Sequence, residues 1–141
     1  FEAARVSPDG RLIAYTLPGE VFVKSFPVGG APERISPDDG NRYLTPMWSP
    51  DGNTLYYQGG DSLYTATLQL EPAFAVLERR ALLALNGVRD LDLHPDGDRF
   101  IGRQPTDGAS EPEAPEPERH FIVTNWFAEL QARLDEAAGG R

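Results

Sequence analysis

The chain contains no cysteine, one methionine and only two histidines, and basic residues are few: 13 Lys and Arg stand against 22 Asp and Glu. The absence of cysteine excludes a disulfide framework and a cysteine-ligated zinc site. A net charge of −9 argues against nucleic acid as a partner, because proteins that bind phosphate backbones present basic surfaces. No apolar run approaches the ~18 residues of a membrane-spanning helix, so we expect no membrane insertion by this segment.

What the chain does contain is one tetrapeptide that appears three times. Ser7–Gly10 and Ser49–Gly52 read Ser-Pro-Asp-Gly, and His94–Gly97 reads His-Pro-Asp-Gly. Proline presets φ, aspartate bonds the backbone downstream, and glycine accepts a positive φ, so each tetrapeptide predicts a tight turn. The predicted structural turn residues are Pro8, Asp9, Gly10, Pro50, Asp51, Gly52, Pro95, Asp96 and Gly97.

The three aspartates are separated by 42 and then 45 residues, which is a repeat of fixed period. A period of ~40–45 residues is typical of a four-stranded propeller blade. Apolar residues alternate on both sides of each turn, as in Leu55 and Tyr57, which predicts strands with one packed face. We assign residues 1–41 to blade one, 42–86 to blade two and 87–125 to an incomplete blade three. Residues 73–85 also show helical spacing, but the repeat favours an outer strand there.

The sequence from Trp48 to Gly52 and the apolar–aromatic alternation after it resemble the WD40-like β-propeller repeats of the TolB type, over nearly the whole chain. In that family the tetrapeptide joins the innermost strand of a blade to the second. The resemblance implies an all-β fold: a partial β-propeller of about three four-stranded antiparallel blades, the last one incomplete, with a short C-terminal helix.

A second, shorter resemblance lies in residues 125–130, Asn-Trp-Phe-Ala-Glu-Leu. This segment is similar to the C-terminus of propellers fused behind bacterial serine/threonine kinases and related membrane regulators. The resemblance implies the sensor domain of a bacterial signalling protein, placed on the extracytoplasmic side of the membrane. Asn125 is the predicted N-cap of a helix over 126–138, and this helix is expected to cover apolar surface.

Two segments rich in Asp, Glu, Pro and Gly are predicted to be loops. Residues 106–119 carry five acidic residues and three prolines, which predicts a solvated, extended insertion; the alternative is an acidic binding segment for a basic partner. Residues 36–40 resemble the hairpin tetrapeptide in composition but do not fall on the spacing of the repeat. We interpret them as a loop between blades rather than a metal or phosphate loop.

No pattern of residues points to catalysis, a cofactor or a metal. Ser7 and Ser49 lie beside aspartates of their own turns, which indicates turn capping rather than a triad. His94 and His120 lack the spacing of metal ligands and are interpreted as surface or turn residues. We therefore predict that the chain is not an enzyme and has no catalytic, cofactor-binding or metal-binding residues. Six aromatic residues could form a ligand platform, but strand spacing favours a core role for Tyr15, Trp48, Tyr56, Tyr57, Tyr64 and Trp126.

Eleven predicted strands cannot close a ring, because a propeller has ~4–8 blades of four strands. We expect the missing blades to come from the rest of a longer chain, in agreement with a start at Phe1 rather than Met, or from other copies. The predicted function is a binding scaffold that holds a protein or small ligand at its loops. The alternatives are the propeller domain of a serine peptidase of the prolyl oligopeptidase type, and a self-assembling blade array.

Overall fold

A computed structural model describes residues 3–104, 120–124 and 139 and contains eleven β-strands in three antiparallel sheets. Blade 1 consists of β1 (Ala4–Val6), β2 (Leu12–Leu17), β3 (Glu20–Ser25) and β4 (Glu33–Arg34). Blade 2 consists of β5 (Tyr43–Trp48), β6 (Thr54–Gly59), β7 (Ser62–Gln69) and β8 (Ala75–Ala84). Blade 3 consists of β9 (Arg89–Leu93), β10 (Arg99–Arg103) and β11 (His120–Thr124).

Within each sheet, strands that are neighbours in the chain are also neighbours in space. This sequential antiparallel order is that of a propeller blade, and the fold is a partial β-propeller, as the sequence predicted. The segment with helical spacing is the strand β8, which pairs with β7 from Ser62 to Gln69. The register of that pair shifts twice, which is why the apolar residues of β8 do not alternate strictly.

The apolar core described for blades 1 and 2 lies where their sheets face each other. Alternate residues of β2 and β3 point toward blade 2, and alternate residues of β6 and β7 point back, because side chains alternate across a strand. The fully apolar centre of this layer is built on Val21, Val23 and Leu55, each at most 1% exposed. The cluster is completed by Ala14, Ile35, Tyr43, Trp48, Tyr57, Ala66 and Leu68.

The chain divides into two compact units, Phe1–Gly87 and Val88–Arg141. The first holds blades 1 and 2, and the second holds blade 3. In blade 3, Gly102 faces the side chains of Val88 and Leu91, and Phe100 is 2% exposed. Gly102 falls where the first two repeats have Tyr15 and Tyr57, so this unit replaces a large aromatic by a close backbone approach.

Two predictions lie outside the described residues: the acidic loop at 106–119 and the C-terminal helix at 126–138. In the part of the chain that the structure does describe, no helix is both long enough and apolar enough to cross a membrane.

Candidate ligand groove

The first two predicted turns have the same hydrogen bonds, atom for atom. In the first, the Ser7 hydroxyl donates to Asp9 Oδ1 at 2.6 Å and accepts from the Leu12 amide at 3.0 Å. In the second, the Ser49 hydroxyl donates to Asp51 Oδ1 at 2.6 Å and accepts from the Thr54 amide at 3.0 Å. The serine therefore ties the aspartate of the turn to the first residue of the next strand.

The third turn has a backbone conformation like that of the other two, but different side chains bond its aspartate. Its glycine has φ of 77°, close to the 73° of Gly10, so the backbone is alike. His94 replaces the serine, and its Nδ1 lies 2.9 Å from Asp96 Oδ2. Arg99 donates to the same oxygen from Nε at 3.0 Å and from a terminal nitrogen at 2.6 Å. A guanidinium fork thus holds the aspartate that a hydroxyl holds in the other two turns.

All three turn aspartates are held in the ionised form. The Ser7 hydroxyl and then the Arg11 amide lower the pKa of Asp9 below its ordinary value, and the Ser49 hydroxyl and then the Asn53 amide do so for Asp51. The Asp98 amide, followed by Arg99 and His94, lowers the pKa of Asp96 to about 2. Each of these carboxylates accepts hydrogen bonds from residues of its own turn.

A groove of about 400 Å³ opens beside the first turn, between blades 1 and 2. One wall is the β1–β2 turn together with the end of β3 and the residues after it. The other wall is the connection from β7 to β8. Exposed apolar side chains lie here, with Val28 80% and Phe26 41% exposed, and a charged pair, Arg11 with Glu71 at 3.3 Å, joins the two walls. The lining is Asp9, Arg11, Leu12, Ser25, Phe26, Val28, Leu70, Glu71, Pro72, Ala73 and Phe74.

Polar contacts join blades 1 and 2 at two places outside the lining of this groove. The Trp48 indole N–H donates to the Arg5 carbonyl at 2.9 Å, which joins the inner strands of the two blades. At the outer strands, Arg79 of β8 donates from Nε to the Ile35 carbonyl and from a terminal nitrogen to the Arg34 carbonyl at 3.2 Å. The bonds to the Arg5 and Ile35 carbonyls are partly buried, where an unpaired carbonyl is costly, and the bond to the Arg34 carbonyl is exposed.

The aromatic residues that could have formed a platform belong largely to the core. Tyr57 is fully buried and stacks on Tyr64 with ring centroids 5.7 Å apart, and Tyr43 meets both rings edge-on. Trp48 is 9% exposed and Tyr15 is 4% exposed. These rings are therefore packed side chains, and Trp126 lies outside the described residues.

The two aspartates of the loop at 36–40 are bonded to residues on either side of the loop. Arg34 pairs with Asp38 at 2.9 Å and with Glu20 at 2.8 Å, and the Tyr43 hydroxyl donates to Asp39 at 2.7 Å. Within the ranges that the structure describes, no three His, Asp or Glu side chains come together as a metal-binding group. His94 lies in its turn beside Asp96, and the side chain of His120 is outside the described part.

Apart from the turn residue Asp9, sequence reasoning did not single out the residues of the groove. Its apolar wall comes mostly from the residues that follow the third strands of blades 1 and 2, for which no function was predicted. A usable signal was present. Phe26-Pro27 and Glu71-Pro72 each come shortly after the end of a strand, and each is followed within two residues of its proline by an apolar side chain, Val28 or Phe74. Proline there ends strand pairing and leaves apolar side chains without a sheet neighbour.

Comparisons with known proteins agree with the fold. No family model matches the chain, and no curated protein matches it. A Bacteroides uniformis protein provisionally named 6-phosphogluconolactonase aligns with TM-score 0.51 and 20% identity over 72% of this chain and 32% of its own. The acylaminoacyl peptidase of Pyrococcus horikoshii aligns with TM-score 0.50 and 15% identity over 82% of this chain and 22% of its own.

A protein from Agrobacterium tumefaciens provisionally named TolB aligns over 87% of this chain and 57% of its own, at 19% identity and TM-score 0.38, which is too low to argue from. At these identities the comparisons show the propeller fold alone. The chain spans about a third of the length of the Bacteroides protein.

The prediction that the chain is not an enzyme is wrong as a conclusion from the sequence. Structures with this arrangement of strands include proteins named as a lactonase and a peptidase. The lack of a complete catalytic group within this one chain does not exclude catalysis. A propeller can gather its functional residues from several blades, and three blades show only part of such a set.

Proposed function

We propose that the chain supplies blades of a β-propeller that binds a ligand at the end where the Ser-Pro-Asp-Gly turns lie. The observation that carries the proposal is the groove between blades 1 and 2, with Phe26 and Val28 exposed beside Phe74 and Leu70. Removing apolar surface from water contributes about 25 cal/mol of favourable free energy for each Å² that is buried. Grouped in one concave site, such side chains are a surface on which a ligand gains free energy.

A binding site also needs walls that do not collapse, and the groove has them. The β1–β2 turn is held by the Ser7 hydroxyl, and the two blades are joined through Trp48 and Arg79. Rigid sheets that carry variable connections are the usual arrangement for binding at loops. These contacts hold together the two sheets whose connections carry the apolar residues of the groove.

In the whole protein, we propose that further blades complete the ring, supplied by the rest of a longer chain or by other copies. The short resemblance of residues 125–130 to kinase-fused propellers supports a role as the sensor domain of a bacterial signalling protein. In that setting the groove would be a place where a ligand signal is received.

The groove is tested with 3-phenylpropan-1-ol, a neutral probe with one aromatic ring. Amide NMR shifts of the labelled protein should change at Arg11, Phe26 and Phe74 as the probe is added. Phe26→Ser should weaken binding by about fivefold or more, because it removes an aromatic contact worth ~1 kcal/mol or more. Leu77→Ser is the matched control, since Leu77 is 60% exposed on β8 and does not line the groove.

The proposal is overturned if the shifts spread evenly over the surface, or if both serine variants weaken binding equally. Either result would mean that the probe responds to exposed apolar side chains in general rather than to this groove.

A second candidate is that these blades belong to the propeller of an enzyme. Its support is the structural likeness to proteins named as a 6-phosphogluconolactonase and an acylaminoacyl peptidase. The test is hydrolysis of 6-phosphogluconolactone and of an N-acetyl-aminoacyl anilide by the protein. A rate above that in buffer alone supports this candidate, and an unchanged rate for both substrates removes the support.

A further inference from the structure

We infer that the groove selects a small organic cation, an ammonium or guanidinium group on an apolar body. The inference rests on the ligand-binding function proposed above and adds the chemical class of the ligand. It comes from the polar groups that line the groove, from its apolar wall and from its size.

The charged groups of the groove leave an excess of negative charge. Asp9, Glu71 and Arg11 line it, so two carboxylates stand against one guanidinium. Asp9 remains ionised, because the Ser7 hydroxyl and the Arg11 amide lower its pKa. Those two hydrogen bonds both end on Oδ1 of Asp9, and Arg11 contacts Oε1 of Glu71. Each carboxylate therefore keeps a second oxygen that a ligand cation can approach.

The charge of the whole chain acts in the same direction. With a net charge of −9, the chain attracts cations to its surface and repels anions. A ligand carboxylate could pair with Arg11 only by competing with Glu71 and by lying close to Asp9. An ammonium group can approach the second carboxylate oxygen of Glu71. It therefore adds an attraction to Glu71 without displacing Arg11 from the first oxygen.

The apolar wall suits the body of such a ligand. Phe26 offers part of its ring to solvent, and a cation near the face of an aromatic ring gains about 0.5–1 kcal/mol at exposed sites. Val28 and Phe74 extend the apolar surface beyond that ring. A volume of about 400 Å³ lies within the ~300–1,000 Å³ range of small-molecule sites, so the occupant is a single small molecule rather than a folded domain.

The experiment compares three probes that share one body and differ in charge: 3-phenylpropylammonium, 3-phenylpropan-1-ol and 3-phenylpropanoate. Titrations at low salt, followed by amide NMR shifts, should give about threefold tighter binding of the ammonium than of the alcohol, with the carboxylate weakest. In about 1 M salt the three affinities should converge, because exposed charges are then screened within ~3 Å.

Two variants should move this preference in opposite directions. Glu71→Gln should remove most of the preference for the ammonium, because it leaves one carboxylate against one guanidinium. Arg11→Gln should increase the preference, because two carboxylates are then unopposed. Glu78→Gln is the matched control: this exposed carboxylate lies on β8 and does not line the groove.

The outcomes separate the inference from the function on which it rests. Equal binding of the three probes leaves the groove as a ligand site and overturns the choice of a cation. Preferred binding of the carboxylate overturns that choice as well, and so does an equal response of the Glu71 and Glu78 variants. Absence of binding by all three probes overturns the proposed function itself.

Discussion

Two buried tyrosines of blade 2 have different surroundings in the structure. Tyr43 and Tyr57 are both buried, and burial raises the pKa of each hydroxyl to about 12, for Tyr43 with a contribution from Asp39. The Tyr43 hydroxyl donates to Asp39 Oδ2 at 2.7 Å. The Tyr57 hydroxyl finds no hydrogen-bond partner among the described residues. A buried hydroxyl without a partner costs free energy, whereas a bonded one stabilises the fold.

Removing the two hydroxyls should therefore have opposite effects on stability. We expect Tyr43→Phe to lower the free energy of unfolding by about 1 kcal/mol, because it breaks a hydrogen bond to a carboxylate. Tyr57→Phe should leave that free energy unchanged or raise it by up to ~1 kcal/mol, because only an unpaired group is lost. Urea denaturation of both variants measures the difference. A loss in Tyr57→Phe as large as that in Tyr43→Phe would show that the Tyr57 hydroxyl is bonded in solution.

Gly59 is a second residue whose role depends on its neighbours. A Cβ on Gly59 would overlap the ring of Tyr43 and lie 2.9 Å from Cε2 of Tyr64. Gly59→Ala should therefore lower the free energy of unfolding by about 2 kcal/mol, as overpacking in a core does. Gly29→Ala is the control, since nothing lies within 4 Å of a Cβ there. Similar denaturation midpoints for the two variants would contradict this packing.

At the scale of elements, the turns and strands were the most predictable part of the molecule. The tetrapeptide contains its own turn chemistry, so the hairpins at Asp9, Asp51 and Asp96 follow from residues within a few positions of each other. The ends of the strands depend on more distant residues. β2 is Leu12–Leu17 and β10 is Arg99–Arg103, and the point where each ends is set by the partner strand with which it pairs.

The turn aspartates predict a dependence of stability on pH. Because the folded protein lowers the pKa of Asp9, Asp51 and Asp96, their contribution is complete above the unfolded value of 3.8 and is lost as the pH falls. The double variant Ser7→Ala/Ser49→Ala should differ most from the parent protein near pH 7, and the difference should shrink toward pH 3. Urea midpoints at the two pH values test this, and a constant difference would contradict it.

The outer strands of blades 1 and 2 are joined by Arg79, whose neighbour Arg80 provides a matched control. Arg79→Met should lower the free energy of unfolding by about 1 kcal/mol, because the Ile35 and Arg34 carbonyls lose a donor in a partly exposed place. Arg80→Met should leave it within about 0.5 kcal/mol, as exposed substitutions usually do. Equal urea midpoints for the two variants would mean that the Arg79 contact contributes nothing.

At the scale of the whole molecule, the buried layer between blades 1 and 2 lies entirely within Phe1–Gly87. Its members, including the partly buried ones, come from residues 12–76, so no described residue of blade 3 belongs to that cluster. A unit with its own core can fold by itself.

We therefore expect a chain of residues 1–87 to fold. Its circular dichroism spectrum should show strand structure, and urea should unfold it in one cooperative transition, as small single domains do. A control with Leu55→Asp, which places a charge in the shared core, should abolish that transition. A broad, non-cooperative loss of signal from the unsubstituted 1–87 chain would contradict an autonomous unit.

The sequence by itself determined the repeat, the turns, the all-β class and the existence of an incomplete set of blades. These features depend on residues close together in the chain, where proline, glycine and alternating apolar residues act locally. Only the tertiary structure decided which side chains face each other across the blades: Trp48 on the Arg5 carbonyl, Tyr43 against Gly59, and Phe26 across from Phe74 in the groove. Those pairs are brought together by the packing of one sheet on another, and no local pattern specifies which residues meet there.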